Sequence, residues 1–265
     1  TFAKILFLIT VKIKEIVNAL ERFAPLPLQD GFDNAGLQIG LTEMEATGAL
    51  LCLDVTESVI DEALALGFNL IISHHPLLFK GLKCISGQTY IERCVLKAIK
   101  NDIAIYSAHT NLDNAPEGVN YKIAEKIGLQ DIKILAPKEG ESTVGSGVIG
   151  ILEEPDSELD FLKRIKKTFE VECLRHNKLT GRLIHKVALC GGAGSFLIPN
   201  AIQQEADIFI TGEIKYHEFF GHEKEILLAE IGHYESEQYT KDLLASILKK
   251  EFPNLEIENT KINTN

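Results

Sequence analysis

Three apolar runs in this chain each end in side chains able to bind a metal ion. Residues 70–72 run into His74 and His75, residues 103–106 lead to His109 and Asp113, and residues 226–231 lead to His233 and Glu237. Short apolar runs bounded by turn residues read as buried strands, and open α/β sheets collect ligands at the carboxyl ends of their strands. Imidazole together with carboxylate is the donor set of zinc, manganese or iron(II), rather than of magnesium or calcium alone. His233 and Glu237 are four residues apart, so a helix opening there puts both on one face. His109 and Asp113 share that spacing, yet Asn111, Asn114 and Pro116 mark their segment as a loop. Pro76 keeps His75 out of the helical region, so His74 and His75 are expected in extended chain with side chains on opposite sides. That predicts two neighbouring sites taking one imidazole each, or one ligand with one supporting partner. Each residue alone also reads as an ordinary capping or surface group. Their joint occurrence is what points to metal.

Other polar groups follow the same strand ends. Residues 211–218 could present Glu213, Lys215 and His217 to the same cleft, while His217 and His222 lie past the strand end and are not expected to be ligands. His176 and His185 fall in polar surroundings and are assigned to the surface. The turn-rich segment at residues 30–40 places Asp33 and Asn34 between Phe32 and Leu37, which suits either a site-lining loop or a plain turn. Residues 191–195 lie between a strand and a helix; without GxGxxG or GK[ST] they read as a tight turn rather than a phosphate cradle. No GxSxG, Walker motif or cysteine beside a histidine offers a competing chemistry.

The elements that must position these groups alternate throughout. A helix is expected from Ile13 to Phe23 and is stopped by Pro25 and Pro27. Strands at 49–53 and 70–72 flank a helix at 57–66 closed by Gly67, a βαβ unit that implies a parallel sheet. A helix at 90–100, the strand at 103–106, a helix at 119–127 closed by Gly128 and a strand at 132–135 complete a first lobe, residues 11–136. Residues 137–147 are linker-like in composition. A second lobe, residues 148–265, carries strands at 148–152, 184–189, 208–211 and 226–231, a helix at 158–169 and a long helix ending near Lys250; its last residues are free to return to the first lobe. Residues 1–10 are apolar but too short for a membrane span and read as an edge strand or an extension.

Composition narrows the partners. The 265 residues can bury a substantial core, and 45% hydrophobic with 25% charged residues are the proportions of a soluble globular protein. Net charge of −11 disfavours nucleic acid and anionic lipid. Five cysteines without a CxxC pair suggest a reducing cytoplasm, with Cys52 and Cys190 as small core residues.

At the segments Phe32-Asp33-Asn34-Ala35-Gly36-Leu37, Ser73-His74-His75-Pro76-Leu77, Ser107-Ala108-His109-Thr110-Asn111-Leu112-Asp113, Thr211-Gly212-Glu213 and Gly232-His233-Tyr234-Glu235-Ser236-Glu237, the chain resembles the GTP cyclohydrolase 1 type 2 homologues, or Nif-three-like proteins. The resemblance runs from about Val11 to the end. It implies two α/β domains with mixed, largely parallel sheets packed face to face around a dinuclear metal site, in a toroidal homohexamer. It makes His74, His75, Asp113, His233 and Glu237 the ligands of two divalent ions, zinc, iron or manganese, with Glu237 bridging and His109 beside them. The family usually has Trp where Phe32 stands, its usual start follows residues 1–10, and its longer members carry an inserted domain near residues 140–147.

Four positive charges against Asp113 and Glu237 leave about +2, so the expected substrate is anionic, a nucleotide or phosphorylated molecule. His109 or Glu213 would handle protons, and Asp33 and Asn34 would contact substrate. The family name suggests hydrolytic opening of GTP. The alternative is a non-enzymatic, metal-containing hexameric scaffold or regulatory protein.

Overall fold

Ile13, Ile16, Val17 and Leu20 recur at helical spacing and form the buried face of the first helix, α1 (Ile13–Phe23). Its first turn is closed by Glu15, whose carboxylate accepts from Lys12 N at 2.8 Å, and its end falls just before Pro25. The computed structural model describes residues 10–265, so the extension expected at residues 1–10 lies, apart from Thr10, outside the described residues. The chain divides into two units. One takes the chain up to Phe23, Asn34–Ala108 and Leu244–Asn263; the other takes Ala24–Asp33, His109–Leu243 and Thr264–Asn265.

Unit one is built on a mixed sheet of β1 (Gly36–Ile39), β2 (Ala49–Cys52), β3 (Leu70–Ser73), β4 (Ala104–Ser107) and a late strand, Ile257–Asn259. Their order is β1, β4, β3, β2, then the late strand, with all neighbours parallel except β1 against β4. All residues of β2, β3 and β4 are buried, as parallel strands covered on both faces require. Helix α2 (Glu57–Leu66) joins β2 to β3 and α3 (Tyr90–Lys100) precedes β4. The hydroxyls of Thr56 and Thr89 cap them, accepting from Val59 N and Glu92 N, and Gly67 ends α2 with φ 73°, which a Cβ would resist. Leu50, Ile60, Ile71 and Ile105 form the centre of this unit's core.

After its Ala24–Asp33 segment, unit two takes up a one-turn helix, α4 (Thr110–Asp113), where the sequence predicts only loop, and continues with α5 (Val119–Ile127), ended by Gly128 at φ 83°. Then come β5 (Gln130–Pro137), β6 (Gly145–Ser157), α6 (Glu158–Thr168), β7 (Arg175–His176), β8 (Leu183–Cys190), α7 (Ile198–Gln203), β9 (Ile208–Thr211), β10 (Leu227–Glu230), α8 (His233–Glu237) and α9 (Thr240–Glu251). The sheet order is β5, β6, β8, β9, β10, β7; β8, β9 and β10 are parallel and the rest antiparallel. Leu135, Ile149, Phe209 and Leu228 lie in its core.

Residues 137–147, expected as a linker between lobes, are instead the turn and strand ends of the β5–β6 hairpin, with Pro137 opposite Gly145 and Lys138 N donating to Val144 O at 2.9 Å. Hairpin turns and linkers favour the same glycine, proline and polar residues, so composition does not separate them. The long helix expected after Gly232 is two helices, α8 and α9.

Candidate functional site

In unit one, β2 and β3 run in register with Cys52 beside Ser73. The next two N–H groups both donate to the β2 side, His74 to Cys52 O at 3.1 Å and His75 to Leu53 O at 2.9 Å. Consecutive N–H groups of a regular strand point opposite ways, so the chain bends here. Ser73 Oγ pins the bend by donating to His75 O at 2.8 Å, with Ser107 Oγ 2.8 Å away. The expectation of extended chain is thereby corrected. The two imidazoles lie side by side, centroids 4.9 Å apart, with ligand nitrogens within 4.8 Å.

Each ring is oriented through Nδ1. Fully buried His74 places Nδ1 2.8 Å from Ala108 O; a carbonyl only accepts, so Nδ1 carries the proton and Nε2 the lone pair. His75 places Nδ1 2.8 Å from Asp54 Oδ1, with the same result.

Unit two repeats the device twice. His109 precedes α4, and its Nδ1 is 2.7 Å from Oδ1 of Asp33, a carboxylate whose side chain is wholly buried. The other oxygen of Asp33 accepts from Thr110 N at 3.0 Å and from the Thr110 hydroxyl, so one side chain both orients the ring and caps the helix. Asp113 closes α4, its peptide N donating to His109 O at 3.1 Å. On α8, His233 Nδ1 meets Glu213 Oε1 at 2.7 Å and its Nε2 lies 3.1 Å from Glu237 Oε2, as the four-residue spacing predicts.

Glycines let α8 lie against the ends of the parallel strands. A Cβ on Gly192, which has φ 59°, would stand 2.4 Å from Glu237 Oε1 and 3.3 Å from His233 Nε2; one on Gly212 would meet His233 Cα at 2.9 Å. Gly192 N donates to Ser236 Oγ at 3.0 Å, and Gly191 N to Asn120 Oδ1 at 2.9 Å. The turn at residues 191–195 is therefore a seat for α8, the helix that carries His233 and Glu237, a role its lack of a phosphate motif concealed. Cys190, just before it, has its thiol pushed up by burial and then by the Asp113 and Glu237 carboxylates, so it stays protonated, a small core residue.

The donors fit a divalent cation. Within unit two the carboxylate oxygens of Asp113 and Glu237 come within 4.8 Å of each other, and Glu237 is 4% exposed. Two carboxylates so close, one of them buried, repel unless a cation lies near them.

The model of the DUF34/NIF3 family (NGG1p interacting factor 3) matches residues 11–265. The chain belongs to the DUF34/NIF3 family. It is 38% identical over 229 residues to a GTP cyclohydrolase 1 type 2 homolog of Clostridium perfringens, covering 86% of this chain and 87% of the relative. Among solved structures it resembles the Staphylococcus aureus hypothetical protein SA1388 (30% identity, TM-score 0.89, 97% and 98% of the two chains) and a Bacillus cereus protein related to NIF3 (26% identity, TM-score 0.88, 97% and 98%).

In this DUF34/NIF3 chain the expected ligands fall on two units, His74 and His75 on one, Asp113, His233 and Glu237 on the other. Expected proton carrier Glu213 is committed to His233, and expected substrate contacts Asp33 and Asn34 are committed to His109 and to Leu78 O, the latter at 2.7 Å. His176, His185 and His217 are exposed; His222 is half-buried and pairs with Glu225. Asp54 was not foreseen. Its signal was available: it lies two residues past Cys52, as His75 lies two past Ser73, in strands that are in register.

Proposed function

We propose that this chain is a metal-dependent hydrolase acting on a nucleotide or another phosphorylated substrate, with two divalent cations, zinc, iron or manganese, held by His74, His75, Asp113, His233 and Glu237. The observation that supports this most directly is shared by four histidines: each has Nδ1 on an oxygen, of Ala108, Asp54, Asp33 or Glu213, which turns Nε2 into the donor. That is how proteins fix imidazole ligands; His176 and His222 also place Nδ1 on an oxygen, and what sets the four apart is that each belongs to a group of candidate metal donors. When bound, the two ions would supply Lewis acidity toward an anionic substrate and water.

The chain's own residues then divide the work. Glu237, close to both His233 and Asp113, would hold the ions together with them. His109, its Nδ1–H held by buried Asp33, has Nε2 with which to accept and return a proton. Glu213 serves as a positioning residue for His233 rather than as the proton carrier. Curated relatives named as GTP cyclohydrolase 1 type 2 homologs make GTP the first nucleotide to try. Assembly as a homohexamer and a cytoplasmic location belong to the same reading. No described helix is long and apolar enough to cross a membrane.

The test begins with protein purified without added metal. Elemental analysis is expected to find stoichiometric ion in the wild type and its loss in His74→Ala and Glu237→Ala; wild type without ion ends the proposal. GTP and a panel of phosphoesters, scored for turnover that both substitutions abolish, then separate an enzyme from a metal-containing scaffold.

A further inference from the structure

The segment after the two unit-one histidines has no helix or strand from Pro76 to Thr89, and its middle is turned to solvent. Residues 79–86 are exposed without interruption, among them Phe79 at 43%, Leu82 at 36% and Ile85 at 49%, with Tyr90 following at 54%. Four large apolar side chains exposed within one short segment are more than the singly scattered apolar residues of an ordinary surface, and such concentrations mark interaction sites.

This exposure does not come from a loose loop. At one end Leu77 is buried in the unit-one core, Leu78 N donates to Gln38 Oε1 at 3.1 Å, and Leu78 O accepts from Asn34. At the other, the Glu92 carboxylate gathers Ser86 N at 2.9 Å, Ser86 Oγ at 2.8 Å and Gln88 N at 3.1 Å. Both ends are fixed, and the apolar tip is presented.

Charge says what it is presented to. In a chain of net charge −11, residues 76–91 contain Lys80 and Lys83 and no acid. Neither lysine has an ion-pair partner among the described residues, and Glu92, the nearest carboxylate in sequence, is turned inward at 6% exposure. Lys80 is five residues from His75, so their Cα atoms are at most about 18 Å apart.

We propose that residues 77–89 recognise the anionic, ring-bearing part of the substrate: Lys80 and Lys83 take its phosphates, while Phe79 and Leu82 cover its apolar or aromatic face. The proposal rests on the hydrolase reading for its substrate class, but its test uses binding and not turnover.

Calorimetry on the metal-loaded full chain would use GTP, guanosine and inorganic tripolyphosphate as probes. GTP is expected to bind most tightly, with affinity falling as salt rises. The double variant Lys80→Ser/Lys83→Ser should weaken GTP and tripolyphosphate by about tenfold or more and leave guanosine unchanged. Phe79→Ser should weaken GTP and guanosine and spare tripolyphosphate. Metal content, measured in parallel, should stay at the wild-type value in every variant. This pattern without turnover supports the recognition surface and counts only against the hydrolase reading. The proposal is overturned if wild type binds none of the probes, or if the lysine variant binds GTP as wild type does. It is equally overturned if the substitutions change only the sedimentation behaviour, which would make the loop a contact between copies.

Discussion

His233 stands between two carboxylates, Glu213 on Nδ1 and Glu237 beside Nε2, so its ring has a single useful orientation. Glu213→Ala should lower metal affinity by about 10- to 100-fold, read by titration against a chelator of known strength, with the circular dichroism spectrum unchanged. Gly192→Ala has a different effect. Its φ of 59° and the 2.4 Å approach to Glu237 Oε1 predict a stability loss of about 1–2 kcal/mol in urea denaturation together with reduced bound metal. At this scale the sequence singles out the candidate donor side chains, because donor type and strand-end position are local properties. It does not show which oxygen holds each ring, since Asp33 and His109 are 76 residues apart and meet only in the folded unit. Nor does it show the bend after Ser73, which depends on two serine hydroxyls from neighbouring strands.

Among the elements, α3 and the loop before it are tied by one side chain. Hydrogen bonds from the Ser86 and Gln88 peptides and from hydroxyls hold the Glu92 carboxyl down at about 2, below its ordinary 4.5. A carboxyl with a depressed folded-state value stabilises fully above its unfolded value and loses that contribution as pH falls toward the folded one. The stability gap between wild type and Glu92→Gln should therefore be constant from neutral pH down to about 5 and shrink between about 4.5 and 2, as thermal melts at several pH values would show. Helices and parallel strands are readily read from the chain, because Gly67 and Gly128 are unambiguous stops and β2 and β3 are unbroken apolar runs. The β5–β6 hairpin is not, because its turn has a linker's composition and its pairing partner is set by the rest of the sheet.

For the molecule as a whole, the close pair of Asp113 and buried Glu237 predicts that bound cation is part of folding stability. Removing metal with a chelator should lower the melting temperature, and adding the cognate ion at 100 times its Kd should restore about 2.7 kcal/mol, measured by calorimetry. His74→Ala and Glu237→Ala should blunt that response. Connectivity has its own consequence. The path changes unit at Phe23/Ala24, Asp33/Asn34, Ala108/His109, Leu243/Leu244 and Asn263/Thr264, and the strand beside β2 is Ile257–Asn259. During synthesis, then, unit one waits on residues made long after its first strands: until Ile257–Asn259 clear the ribosome, β2 offers an open row of peptide groups to any passing chain. Nascent protein should therefore depend on chaperone protection late in translation.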